Sequence, residues 1–251
     1  MTAKVSVIIT TYNSQLYIKR SLESVINQTF NYFEIIIIDD CSNDNTCEII
    51  KNYQKSIPNI KLFSNAFNMG GPAFGRNIGI KKSKGNFIAF LDADDFWLPK
   101  KLEFQMSVIK NNNYHICGCK PINNKLKFNH GIISLFKLIS RNRFYLSSTV
   151  FDLNKIKNLN LLFNESKLYN GVEDYDFLLR CSLNNFTMFN LNLQLISYTE
   201  DENSLSHSDF TLNENRRLQV LSNLKFSKLR YHLFSSLIII IYKLKIFLNE
   251  F

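Results

Sequence analysis

Two acidic clusters each follow an apolar run of the sequence, and both contain the residue types that bind divalent cations. Asp92 and Asp94 lie one residue apart after one such run. Asp39 and Asp40 follow another, at residues 34–38. Carboxylates are hard oxygen ligands that can hold Mg²⁺ or Mn²⁺ against a diphosphate. A solvated turn that caps a helix would also explain Asp92 and Asp94 if they stood alone. The second cluster ends another apolar run on the same side and favours a ligand site, because carboxylates gathered together repel one another unless a cation or donor-rich ligand joins them.

A third acidic pair, Glu173 and Asp174, stands where a later helical pattern begins. A helix N-terminus stabilises negative charge, so both residues could simply cap the helix. The functional alternative is a general base, which takes a proton from a reacting hydroxyl. The four histidines show no ligand spacing, so we expect them to be solvated or core residues.

A glycine-rich segment, residues 68–77 (NMGGPAFGRN), has the G-x-x-x-x-G spacing of a phosphate-binding loop. An NTPase loop then needs Lys and Ser or Thr, whereas Arg76 and Asn77 stand there, so this function is rejected. Gly70 and Gly71 are instead predicted to permit a tight turn. Arg76 either faces the anionic site or is a plain surface arginine.

Apolar and β-branched runs alternate with helical patterns through the first half of the chain. The runs lie at residues 5–11, 34–38, 60–63 and 86–91, and a further strand is predicted at 145–151. Alternation at this spacing predicts an α/β fold with an open, mainly parallel sheet and right-handed crossovers. Ligands of such sheets bind beyond the carboxyl ends of the strands, which is where both acidic clusters fall.

Composition and charge exclude several classes of protein. The 251 residues are 45% hydrophobic with 4 Pro and 8 Gly, which excludes disordered and collagen-like chains. The five cysteines form no C-x-x-C pair and no apolar leader follows a basic start, so we expect a reducing, cytoplasmic location. The net charge is +9, and residues 216–251 supply +6 of it, with seven Lys or Arg against one acid.

The basic residues of this C-terminal stretch are interleaved with apolar ones. Residues 225–231 place Phe, Leu and Tyr between Lys and Arg, which suits an interfacial helix lying on anionic lipid. A helix packed on the rest of the domain is the alternative. The most apolar run, residues 237–242, is too short to span a bilayer, which takes about 20 residues. We therefore expect peripheral binding to the inner face of the cell membrane.

Five segments, in this order and spacing, resemble the motifs of family 2 glycosyltransferases with the GT-A fold, of the type that builds bacterial surface polysaccharides. The resemblance runs from about residue 4 to about residue 206 and rests on VSVIITTYN (5–13), EIIIIDDCSNDNT (34–46), NMGGPAFGRNIGI (68–80), GNFIAFLDADD (85–95) and GVEDYDFLLR (171–180). It implies a Rossmann-like, mainly parallel sheet with flanking helices and a C-terminal helical tail. Residues 1–112 would bind the nucleotide sugar, residues 113–215 would supply acceptor binding and the catalytic base within the same domain, and residues 216–251 would form one or more basic amphipathic helices.

The resemblance also implies a role for each matched polar residue. Asp94, with Asp92, would hold Mn²⁺ or Mg²⁺ on the diphosphate. Asp174 would be the catalytic base, with Glu173 beside it. The nucleotide sugar would contact the following residues, with Asp39 receiving the N3 hydrogen of a uracil: Thr10, Tyr12, Asn13, Asp39, Arg76, Asp92 and Asp94.

One late segment departs from the family pattern. Relatives often carry Tyr-Arg-x-His before a Ser-rich turn, whereas this chain has Tyr198-Thr199-Glu200-Asp201. Asp201 or His207 is therefore a candidate for the missing contact to the metal, and a plain loop acid is the alternative for Asp201.

The function implied is an inverting, metal-dependent transfer of a hexose from a nucleotide sugar, with UDP as the expected nucleotide. A lipid-linked O-antigen or capsule intermediate is the expected acceptor. A haloacid-dehalogenase-like phosphatase is one alternative. The motif of that class is Asp-x-Asp-x-Thr/Val, whereas in this chain the segment that begins at Asp92 has Phe96 at the last position. A non-enzymatic membrane-surface module is another. No nucleic-acid partner is expected, because concentrated acids oppose a phosphate backbone.

Overall fold

The apolar runs of the sequence form the strands of one large sheet. The structure is a computed structural model that describes residues 4–122, 130–199, 210–225, 231 and 233–241. The strands within these ranges are β1 (Val5–Thr11), β2 (Phe33–Asp39), β3 (Ile60–Ser64), β4 (Phe87–Asp92), β5 (Phe96–Trp97), β6 (Ile116–Pro121), β7 (Gly131–Ile132), β8 (Val150–Asp152) and β9 (Met188–Ser197). The helices are α1 (Ile18–Ile26), α2 (Thr46–Gln54), α3 (Pro72–Lys82), α4 (Lys101–Asn112), α5 (Leu135–Ser140), α6 (Leu153–Asn158), α7 (Glu173–Leu183) and α8 (Phe210–Asn223), with short 3₁₀ helices at Leu146–Ser148 and Lys167–Tyr169. Residues 231 and 233–241 are also helical.

The nine strands described form a mixed sheet that is mostly parallel by length of pairing. Their order is β3-β2-β1-β4-β8-β6-β9-β5, and β7 pairs with β9. The first four strands pair in parallel over five to seven residues, whereas each antiparallel pair extends over only two or three. Because helices flank this sheet, the predicted α/β fold with a mainly parallel sheet is confirmed.

The central strands are covered on both faces, which explains their unbroken apolar sequences. Alternate residues of β1 enter two separate core clusters. Ile8 joins Ile36 and Phe90 on one face, while Val7 and Ile9 belong to the cluster on the other. Burial on both faces fixes where each strand ends, and it therefore fixes the polar residues that follow.

Helix α3 lies very close to β1 because two glycines face the strand. A Cβ at Gly79 would lie 2.5 Å from Ile8 Cγ2, and one at Gly75 would lie 3.0 Å from Thr10 Cγ2. Such an approach of helix and strand requires residues without a side chain. Arg76, next to Gly75, is thereby carried to the carboxyl ends of the central strands.

The prediction of a strand at residues 145–151 is wrong over the first part of that range. Leu146–Ser148 is a 3₁₀ helix, and β8 begins only at Val150. The hydroxyls of Ser148 and Thr149 donate to the Tyr145 carbonyl at 2.6 and 2.8 Å. Side-chain bonds of this kind offer the backbone an alternative to a strand.

Helix α8 packs on the domain as part of its core. Its residues Val220 and Leu221 join the larger core cluster, and Leu218 is also buried. Arg217 Nη2 donates to the carbonyls of Ile139 and Ser140. The domain boundary predicted after residue 112 falls at the end of α4, and the one after residue 215 falls inside α8. None of the helices in the described ranges has the length and apolar character needed to cross a membrane.

Candidate active site

The carboxyl ends of β1, β2 and β4 lie side by side and gather several of the predicted site residues. Parallel register pairs Thr10 of β1 with Asp92 of β4, and Thr11 with Asp39 of β2. Tyr12 follows β1, and this residue is 48% exposed. The sheet edge thus places an open aromatic ring near two carboxylates, which suits the binding of a planar base with N–H donors.

Asp39 and Asn13 are both held by the loop that follows β2. Asp39 Oδ2 accepts from the N–H of Ser42 at 3.0 Å, and Oδ1 accepts from Ser42 Oγ. Asn13, in the left-handed region with φ 47°, donates its N–H to Ser42 Oγ at 2.9 Å and accepts from the Asn43 N–H at 3.0 Å. A carboxylate has about four lone-pair sites, so Asp39 keeps capacity for one more donor.

Asp40 anchors the glycine-rich loop. Its Oδ1 accepts from Asn65 Nδ2 at 2.7 Å and from the Met69 N–H at 3.0 Å. Gly70 then turns the chain with φ 79°, in agreement with the predicted tight turn. Asp40 therefore fixes the entry to α3, the helix that carries Arg76.

Arg76 is a buried bridge between the end of β4 and the start of α7. Its Nη2 donates to Asp92 Oδ1 at 2.9 Å and its Nη1 to Glu173 Oε1 at 2.7 Å, while the residue is only 4% exposed. Burial opposes the charge, but the two carboxylates outweigh burial and raise the pKa of Arg76 further. Glu173 Oε2 accepts from the Gly171 N–H at 2.7 Å, so both oxygens of Glu173 are engaged. Arg76 is not a plain surface arginine.

Asp174, the predicted base, lies one residue beyond this bridge and is partly exposed. Its Oδ2 accepts from Asn142 Nδ2 at 2.9 Å and its Oδ1 from the Tyr175 N–H at 2.6 Å. Burial, followed by the charge of Glu173, raises the pKa of Asp174 to about 7, against the opposing effects of Arg76 and of these two hydrogen bonds. A carboxyl group with a pKa near neutrality is suited to taking a proton from a hydroxyl.

The turn at residues 92–95 is fixed through its backbone and through Asp95. The Asp92 N–H donates to Ser147 Oγ at 3.1 Å. Asp95 is 1% exposed, and its Oδ1 accepts from the Thr199 N–H at 2.9 Å. Burial, followed by the charges of Asp92 and Asp94, raises the pKa of Asp95 well above its ordinary value. Asp95 therefore anchors the turn, whereas Asp92 and Asp94 are partly exposed.

Asp92 and Asp94 fit a divalent cation that shares its coordination with a diphosphate. Across the residues that the structure describes, no three His, Cys, Asp or Glu side chains form a ready-made ligand set. Mg²⁺ is usually bound through one or two carboxylates together with substrate phosphates, so two acids with one oxygen held by Arg76 meet that requirement. Asp201 and His207, the candidates for a late contact, lie outside the described residues.

Comparison with known proteins decides the family. Residues 6–164 match the family described as Glycosyl transferase family 2. The chain belongs to this family. An Escherichia coli protein named UDP-Glc:alpha-D-GlcNAc-diphosphoundecaprenol beta-1,3-glucosyltransferase WfgD is 33% identical over 211 residues, which cover 82% of this chain and 81% of that one. A Haemophilus influenzae glycosyltransferase is 35% identical over 184 residues, or 70% and 71% of the two chains.

Solved structures agree on the fold of this family 2 glycosyltransferase. S. aureus TarS 1–349 in complex with UDP-GlcNAc has a TM-score of 0.76 and 24% identity, covering 92% of this chain and 70% of that one. The mannosyltransferase PcManGT from Pyrobaculum calidifontis, in complex with GDP-Man and Mn²⁺, has a TM-score of 0.71 and 15% identity, covering 88% of this chain and 64% of that one. These likenesses confirm the GT-A fold. The family assignment sets aside the phosphatase and the non-enzymatic module.

Several residues that hold the site of this glycosyltransferase were not predicted from the sequence. The run of Ser147, Ser148 and Thr149 is a local signal for side-chain bonds to the backbone, and it could have indicated the bend beside Asp92. Asn142 reaches Asp174 across 32 positions, and Arg20 reaches Asp94 across 74. No local pattern marks either contact.

We expect Arg76→Ala to lower the free energy of unfolding by about 3–5 kcal/mol, because it leaves Glu173 buried without its partner. Lys81→Ala removes an exposed cation from the same helix and serves as the matched control, with an expected change within about 0.5 kcal/mol. Urea denaturation of both variants measures the difference. Equal unfolding free energies would show that the bridge does not hold α3 to α7.

Proposed function

We propose that this glycosyltransferase moves a hexose from a nucleotide sugar, with UDP as the nucleotide, onto a hydroxyl of a saccharide acceptor, with inversion at the anomeric carbon. The observation that carries the proposal is the chain of contacts from Asp92 through Arg76 and Glu173 to the adjacent Asp174. It ties a carboxyl of raised pKa to the sheet edge where a donor would bind. A single displacement needs one base and no covalent nucleophile.

The names of relatives support this choice of donor and acceptor. That of E. coli WfgD specifies a UDP-Glc donor and a GlcNAc-diphosphoundecaprenol acceptor. S. aureus TarS is named a poly(ribitol-phosphate) beta-N-acetylglucosaminyltransferase, and its structure has been solved with UDP-GlcNAc. We therefore propose a lipid-linked intermediate of an O-antigen or capsule as the acceptor, and surface-polysaccharide assembly as the process.

The proposed base chemistry belongs to Asp174. Its carboxylate takes the proton of the acceptor hydroxyl as that oxygen attacks the anomeric carbon, an effect of about 10² to 10⁴ in rate. Asn142 and the Tyr175 N–H orient the carboxylate, one at each oxygen. Glu173 is a weaker candidate for this role, because Arg76 and the Gly171 N–H already engage its two oxygens.

The donor end depends on the acids of the sheet edge. Asp92 and Asp94 would hold Mn²⁺ or Mg²⁺ on the diphosphate, and when bound this ion neutralises the charge of the departing nucleoside diphosphate. Arg76 fixes one oxygen of Asp92 and so orients that carboxylate. The pocket for the nucleotide would be lined by residues around the ends of β1 and β2: Thr10, Tyr12, Asn13 and Asp39.

The direct test incubates the protein with UDP-glucose or UDP-GlcNAc, Mn²⁺ and a GlcNAc-diphospholipid. We expect a glycosylated lipid that is lost on addition of EDTA and lost in Asp94→Asn, because the cation and the diphosphate are then no longer held. Glu103→Gln removes an exposed acid from α4 and should leave the yield unchanged. Transfer that persists in EDTA would contradict the proposed metal dependence. A protein that shows no UDP binding by calorimetry would contradict the proposed UDP-linked donor.

The pKa of Asp174 makes a second prediction, about the pH dependence of kcat/KM. A base works only when deprotonated, so a pKa raised to about 7 means that activity falls about tenfold per pH unit below that value. Asn142→Leu removes a hydrogen bond that lowers this pKa, so the acid limb should move to higher pH. Asp174→Asn should lower kcat/KM by about 10² to 10⁴. An acid limb near pH 4 in the wild-type protein would contradict the raised pKa of Asp174, and an Asp174→Asn variant with wild-type kcat/KM would exclude Asp174 as the base.

We also propose cytoplasmic attachment to the inner face of the cell membrane through the C-terminal helical residues. One face of residues 233–241 packs on the domain, where the Phe234 ring lies 5.1 Å from that of Phe136. Tyr231, expected from sequence to contact lipid, also packs on Phe136, at 4.7 Å. The other face exposes an apolar stripe, with 43% to 59% of each residue accessible: Leu233, Leu237, Ile240 and Ile241. Apolar residues beside a strongly basic segment suit anionic lipid.

The double variant Leu237→Glu/Ile240→Glu should weaken binding to vesicles containing phosphatidylglycerol by about tenfold or more, because it removes apolar contacts and adds repulsion. Leu159→Glu places one such charge at an exposed leucine outside this stripe and should bind as the wild type does. Co-sedimentation at low and high salt measures both. Unchanged binding of the double variant would contradict the attachment. Deletion of residues 216–251 is a poor substitute, because it removes core residues of α8.

A further inference from the structure

Arg20 of α1 reaches across the surface to the turn at residues 92–95. Its Nη2 donates to the Asp94 carbonyl at 2.7 Å and to Thr199 Oγ1 at 3.1 Å. The guanidinium carbon also lies 4.7 Å from the centre of the Phe96 ring. Arg20 therefore contacts the turn, the start of β5 and the segment after β9.

Thr199 closes this arrangement from the other side. Its N–H donates to Asp95 Oδ1 at 2.9 Å, and its hydroxyl donates to the Asp94 carbonyl at 2.5 Å. The Asp94 carbonyl thus accepts from Arg20 and from Thr199 together. Antiparallel pairing of Phe96 with Ser197 joins the same two segments through their backbones. We call Arg20, Thr199, Asp95 and the Asp94 carbonyl the turn clamp.

The turn clamp acts on Asp94, which is one of the two acids proposed to hold the cation on the diphosphate. The Asp94 carbonyl and the Asp94 side chain leave the same Cα, so fixing the peptide plane restricts where the carboxylate can point. A guanidinium is a planar donor in a fixed fork, and stacking on an aromatic ring restrains it further. An arginine used in this way orients a neighbouring group, which distinguishes it from the many exposed cations that contribute only charge.

We propose that Arg20 is a positioning residue that holds the Asp94 carboxylate in the direction required to bind a divalent cation with a nucleoside diphosphate. The inference rests on the proposed function, because it presumes that Asp94 binds such an ion. It assigns Arg20 no contact with substrate. Its effect on the site passes through the Asp94 backbone and through Thr199.

The experiment compares Arg20→Ala and Thr199→Val with Lys19→Ala, which removes an exposed cation next to Arg20 on the same helix. Calorimetry of UDP binding at increasing Mn²⁺ gives the metal concentration for half-maximal binding. We expect Arg20→Ala to raise that concentration about tenfold, as found when residues that orient metal ligands are removed. Affinity for UDP without metal should not change, and Lys19→Ala should match the wild type. Arg20→Lys should recover part of the loss.

Hydrogen exchange of the Thr199 amide provides a readout that needs no ligand. We expect faster exchange in Arg20→Ala and in Thr199→Val than in Lys19→Ala, because the clamp that protects this amide is opened. If Arg20→Ala unfolds at a much lower temperature than the wild type, the comparison is made with Thr199→Val instead. This variant keeps the backbone N–H that donates to Asp95 and the shape of the side chain.

Two results would overturn the inference. One is an Mn²⁺ requirement in Arg20→Ala equal to that in Lys19→Ala, and the other is a metal-free UDP affinity that falls as much as the metal-dependent one. A wild-type protein that shows no Mn²⁺-dependent UDP binding would instead overturn the proposed function. In that case the exchange measurement still reports whether the turn clamp exists.

Discussion

The buried guanidinium of Arg76 is the interaction on which the arrangement of the site depends. A charge taken out of water is costly unless it is paired and hydrogen-bonded, so Arg76 can stay buried only with its acids in place. Those acids, Asp92 and Glu173, lie 16 and 97 positions away in the chain. The ion pairs therefore select one arrangement of α3, the end of β4 and the start of α7. Buried pairs often contribute little net stability, and here their clear effect is on geometry.

The arginine can reach both acids only because α3 approaches β1 so closely. Gly75 and Gly79 are one helical turn apart and both face the strand, where a Cβ at position 79 would lie within 2.5 Å of Ile8. A larger residue there would push the helix outward and carry Arg76 away from Asp92. Backbone packing in the first half of the chain is thus coupled to the positions of Glu173 and Asp174 in the second half.

The sequence predicts the parallel half of the sheet and the sheet edge of the site, because both are set by local runs and their ends. Asp39 and Asp92 lie where their strands end, and that position follows from which residues can be buried on both faces. The contacts that orient the acids are different in kind. Asn142 and Arg20 come from distant segments and meet the site only through the tertiary fold. From the sequence alone, Arg76 could be either a site residue or a surface arginine. Its burial becomes evident only when the fold places its two partners, Asp92 and Glu173, beside it.

The same distinction applies to the electrostatics of the site. The five acids at residues 92–95 and 173–174 lie in different environments. Two pair with Arg76, and burial raises the pKa of two others, Asp95 and Asp174, so these bind a proton over more of the pH range. Asp94 remains partly exposed at the turn. Five unshielded carboxylates would repel a diphosphate, because like charges in a cleft with low-dielectric walls interact strongly. Pairing and protonation lower that repulsion, so the position of each acid along the chain matters less than the neighbours that the fold places beside it.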